Sequence, residues 1–112
     1  MNLPFAMPTI SFGLLTLVAA GGLLMLIILL SRNKIPKILG IVHGLGGVAG
    51  VTLLWAALGA KDGLLPGAVL TAAMFGGILF FKGIFRVSRP LILVIGHGGL
   101  AGVGLYLLYQ VI

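Results

Sequence analysis

One stretch of this chain, Pro36–Leu54 (PKILGIVHGLGGVAGVTLL), is written a second time as Pro90–Leu108 (PLILVIGHGGLAGVGLYLL). Arg32 matches Arg86, Pro36 matches Pro90, His43 matches His97, Gly50 matches Gly104 and Leu54 matches Leu108, all at one spacing of 54 without a gap. Leu and Gly matches arise readily in apolar sequence. Matches of Arg, Pro and His do not, because the chain holds only 2 His and 5 Pro. A fixed period of this kind marks a tandem repeat, and it places one histidine inside each of two apolar helices.

The setting of those helices follows from composition. A chain of 112 residues that is 61% hydrophobic and 7% charged, with mean hydropathy +1.33, carries more apolar surface than a water-soluble core of that size can bury. Lipid must solvate the rest. Four apolar spans are expected, at about 10–31, 38–60, 68–85 and 91–112, each close to what a tilted helix needs to cross a hydrocarbon core of roughly 30 Å. The expected fold is an all-α integral membrane protein, a single domain over 1–112. It is an up-down bundle of four transmembrane helices built from two-helix repeats at about 10–58 and 68–112. The segment Lys61–Gly67, with Asp62, Gly63, Pro66 and Gly67, reads as the turn between repeats.

The net charge of +6 would suggest nucleic acid in a soluble protein, but here the cations flank apolar runs, which is how membrane topology is set. No nucleic acid partner is expected. Arg32, Lys34, Lys37, Arg86 and Arg89 fall in two turns on one side, against Lys61 on the other. Short basic loops stay cytoplasmic, so both termini are expected outside an inner membrane of bacterial type. Trp55, Tyr106 and Tyr109 then lie toward the outer interface, where amphipathic rings are favoured. The N-terminus lacks the basic and small-residue pattern of a cleaved signal and reads as mature sequence.

His43 and His97, each seven residues past its proline, fall at one depth, roughly 10 Å in from the basic side. On the His43 face lie Gly40, Gly46, Gly47, Gly50 and Leu54; the equivalent face of the last helix holds Val94, Leu100, Ala101, Gly104 and Leu108. Bare faces pack helices closely, and beside a histidine they also leave room for a flat ligand. Three roles compete for the histidines: hydrogen bonds between helices, proton or substrate handling, and ligation of haem. Intramembrane ionisable groups are costly and mark function. A bare Zn or Cu ion is poorly served, since two imidazoles are too few ligands and the chain has 0 Cys and a single acid, Asp62. Haem asks for only two axial ligands. Its propionates would leave toward the basic turns, where Arg32, Lys37, Arg86 and Arg89 are candidate partners. Lys82, which the 54 spacing sets opposite Ile28, either joins them or snorkels to headgroups.

Two histidines on alternate helices of a membrane bundle, each in a Gly-rich span, resemble the haem-carrying core of cytochrome b and of cytochrome b561-like proteins. The resemblance implies one haem b per chain with His43 and His97 as axial iron ligands, and Gly40, Gly47, Gly50, Ala101 and Gly104 lining the ring. Many members of those families carry two haems and twice the histidines, which this chain does not. Bis-histidine ligation leaves iron no open position, so single-electron transfer with a quinone or a redox partner protein is expected over catalysis. The competing readings are a small transporter or channel titrating its histidines, and a scaffold subunit. The length and spans resemble small multidrug exporters, which rely on an intramembrane carboxylate that this chain lacks. The outer surface leaves room for a homodimer.

Overall fold

The computed structural model describes residues 3–31, 34–83 and 91–112, with side chains at 6–31, 34–79 and 92–112. They form three helices: α1 (Leu3–Leu30), α2 (Lys37–Gly83) and α3 (Leu91–Val111). This corrects the expectation of four helices. The segment read as a turn, 61–67, is helical throughout, and α2 runs 47 residues with one interruption, at Gly59 (φ 65, ψ −169).

A straight helix of that length would measure about 70 Å, yet the longest dimension of the molecule is 45 Å. The helix therefore folds back at Gly59 into a first arm (37–58) and a second arm (60–83). Only glycine adopts this combination of φ and ψ without strain, so a single residue makes the reversal and no loop is required. Trp55 holds the fold closed. Its Nε1–H donates to Thr71 Oγ1 at 3.0 Å, although the two would sit about 24 Å apart on a straight helix. A Cβ on Gly67 would lie 2.6 Å from the Trp55 ring. Gly63 and Gly67, which look like turn residues in the sequence, are buried because they are where one arm presses on the other.

The first helix starts earlier than the expected span at about residue 10: α1 begins at Leu3. Pro4 falls in the first turn, where its missing N–H costs nothing, and Pro8 lies one turn further in.

All three helices are long and apolar enough to cross a membrane. The 45 Å length matches a bilayer with its headgroup regions, about 40–45 Å. Outward-facing Leu17, Leu24, Ile27, Ile41, Leu45, Phe75, Leu79 and Ile95 are exposed, an apolar surface suited to acyl chains. The core is thin. Leu54 and Leu108, repeat equivalents, are both 0% exposed and pack with Leu15, Val51 and Leu70. Phe12 meets Tyr109 with ring centres 5.9 Å apart, so the N-terminal half of α1 packs beside the end of α3.

A candidate site built from paired histidines

His43 sits on the first arm of α2 and His97 on α3. Their ring centres are 6.0 Å apart at an interplanar angle of 73°. Spacing within the repeat puts the two rings level, and the buried Leu54–Leu108 pair, eleven residues further along each helix, fixes the same two faces inward.

Each ring is held by the neighbouring helix of its own repeat. Nδ1 of His43 lies 2.8 Å from the Val18 carbonyl, and Nδ1 of His97 lies 2.8 Å from the Ala73 carbonyl. A carbonyl oxygen only accepts, so each Nδ1 carries the proton and donates it. In a neutral imidazole that leaves Nε2 with a free lone pair. Neither Nε2 has a hydrogen-bond partner among the described residues. No buried polar side-chain atom there is left unsatisfied, so both nitrogens stay open to a ligand.

The Cε1 edge of each ring rests on a bare glycine. A Cβ on Gly22 would lie 2.9 Å from Cε1 of His43, and one on Gly77 would lie 2.8 Å from Cε1 of His97. Gly22 and Gly77 are 55 apart, as are Val18 and Ala73, and Leu15 and Leu70, which cover Gly50 and Gly104. The histidine helices repeat at 54 and the helices that hold them repeat at 55, so one residue is lost between the two. The contact register therefore sets Lys82 opposite Ile27 rather than Ile28.

The other residues singled out in the sequence divide into groups. Gly47 and Gly50 face Val18 and Leu15, and Gly104 faces Leu70; side chains from the adjacent helix occupy these bare faces. Gly40 and Ala101 are half-buried. Free space lies elsewhere: Gly44, Gly76, Gly96, Gly98 and Gly99 have nothing within 4 Å of a Cβ position. Lys37 is exposed at the start of α2 and makes an interaction of its own. The backbone of Lys82 is in the last turn of α2, but its side chain lies outside the described residues, as do Arg32, Arg86 and Arg89 altogether. Among the described residues no three His, Cys, Asp or Glu side chains come together to hold a metal ion.

The site thus offers two imidazoles, each with Nδ1–H bound to a backbone carbonyl and with no partner at Nε2 among the described residues. Two nitrogens are too few for a bare metal ion; they are what a protein supplies to a group that brings its remaining ligands with it, as haem does. No protein-family model, curated protein or solved structure matches this chain.

Proposed function

We propose that this protein is a membrane cytochrome that holds one haem b between His43 and His97 and passes single electrons to and from a quinone or a redox partner protein. The observation that carries the reading is the pair of imidazoles, each with Nδ1–H bound to a backbone carbonyl, their centres 6.0 Å apart. Histidine ligands are commonly held in this way: a carbonyl that accepts the Nδ1–H fixes the tautomer and the ring orientation and raises the basicity of Nε2. Haem, when bound, supplies a one-electron couple. The chain's own part is to present two donors, each held by a backbone carbonyl, Val18 or Ala73, and seated on a glycine, Gly22 or Gly77. With both histidines holding the group, binding of oxygen or substrate at its metal would be disfavoured.

The basic turns are proposed to face the cytoplasm, with both chain ends outside, and to stand near the haem propionates. His43 and His97 begin the seventh position of their helices, about 9 Å from the basic end. Haem there spans only part of the bilayer, so transfer across the whole membrane would need a second centre in a partner.

The test is an absorption spectrum of the detergent-purified protein, oxidised and dithionite-reduced. The reading predicts sharp low-spin b-type bands that His43→Ala and His97→Ala each abolish or convert to a high-spin form. A colourless preparation that takes up no added haem, or a spectrum that survives both substitutions, would overturn it. Proton-coupled flux by haem-free protein in liposomes would favour the transporter reading instead.

A further inference from the structure

We propose that Gly22 and Gly77 are positioning residues that set the tautomer of His43 and His97 and so keep both Nε2 lone pairs open. In a helix the carbonyl of residue i accepts the N–H of residue i+4. The Val18 carbonyl is therefore engaged with Gly22, and the Ala73 carbonyl with Gly77, yet each also takes a histidine proton at 2.8 Å. A second donor reaches such a carbonyl only where no side chain stands over it. Side chains tilt toward the helix N-terminus and cover the turn before their own Cα, so the residue at i+4 is the one that shields the carbonyl at i. In both repeats that residue is glycine.

The clearances at the two glycines agree with this. A Cβ at Gly22 would stand 2.9 Å from His43 Cε1, 3.6 Å from Nδ1 and 3.7 Å from Nε2; at Gly77 it would stand 2.8 Å, 3.3 Å and 3.5 Å from the same atoms of His97. Contacts under 3.0 Å force something to shift, and the nearest atom is the far end of the histidine side chain, so the ring is expected to give way and lengthen its bond to the carbonyl. A histidine freed from that bond reverts to the tautomer mixture of imidazole in solution, which includes the form with Nε2 protonated and closed to a ligand. Each glycine touches one histidine only, Gly22 the ring of His43 and Gly77 the ring of His97, so each acts first on its own ring. The neighbouring glycines differ: a Cβ at Gly21 would be 3.9 Å from His43 Nδ1, an ordinary contact, and one at Gly76 would meet nothing within 4 Å.

The tautomer claim stands apart from the haem reading; only its consequence for haem rests on that reading. The experiment is 15N NMR of histidine-labelled, haem-free protein in micelles, with haem titration of the same samples. Wild type is expected to show both rings protonated at Nδ1. Gly22→Ala should shift His43 toward the Nε2–H form and leave His97 unchanged, and Gly77→Ala should do the reverse, the unshifted ring reporting that the fold is intact. Haem affinity should fall about 10- to 100-fold in each, as when a ligating histidine loses the group that holds its other nitrogen. Gly21→Ala and Gly76→Ala should match wild type in both readouts. Unchanged tautomers in Gly22→Ala and Gly77→Ala, or equal shifts in the two neighbouring variants, would overturn the inference. A tautomer shift in protein that binds no haem in any form would uphold it while removing the cytochrome reading.

Discussion

Replacing Gly59 with alanine isolates the cost of the reversal in α2. A Cβ there would meet nothing within 4 Å, so the substitution introduces no clash, and its whole effect comes from the backbone. At φ 65 and ψ −169 a residue with a Cβ is in a region almost reserved for glycine, at a cost on the order of 1–3 kcal/mol. That corresponds to about a 5- to 150-fold fall in the ratio of folded to unfolded protein. Gly13→Ala is the matched comparison, because Gly13 also has open space around it but lies inside α1. There alanine should stabilise, by roughly 0.5–1 kcal/mol. Reversible unfolding in mixed micelles, followed by far-ultraviolet circular dichroism and by Trp55 fluorescence, measures both. A D-alanine at position 59, introduced by ligation, prefers positive φ and should recover the loss. If L-alanine at 59 proves as stable as glycine, the chain does not reverse at that residue, and the folded-back α2 is wrong.

Trp55→Phe removes the hydrogen bond to Thr71 Oγ1 and should cost about 0.5–1.5 kcal/mol. Thr71→Val should cost a similar amount, and the double variant should cost little more than either, which a double-mutant cycle followed by far-ultraviolet circular dichroism reads directly. Leu54→Ala and Leu108→Ala each empty a fully enclosed side-chain site, so each should destabilise by about 2–5 kcal/mol. Because the two positions are repeat equivalents in one core, their costs should be similar; a large difference would mean that the repeats do not meet symmetrically.

The duplicated histidine stretch carried much of the site in its residues. The period of 54 named His43 with His97 and Leu54 with Leu108, and helical spacing put each histidine on the face of its leucine; the rings do meet, and the leucines do fill the core. The partner helices were harder to read. What they give the histidines is two backbone carbonyls, at Val18 and Ala73, and a carbonyl leaves no trace in residue type. The glycines that uncover those carbonyls repeat at 55, so a comparison at 54 passes over Gly22 and Gly77. Pairing glycines one turn past any carbonyl within reach of an intramembrane histidine would have found them. The helix count failed for a related reason. Asp62, Gly63, Pro66 and Gly67 have the composition of a turn, but two of those glycines serve close packing against Leu58 and Trp55. Reversal needed only Gly59, which the sequence does not distinguish from the other 18 of its 19 glycines.

Stoichiometric titration of haem into the haem-free protein addresses the paired-histidine site most directly. The account predicts saturation at one haem per chain, with a six-coordinate low-spin spectrum from the first additions and no five-coordinate intermediate, since both imidazoles are already in place 6.0 Å apart. Uptake without a defined end point, or a saturated complex that remains high-spin, would show that the two histidines do not share one iron.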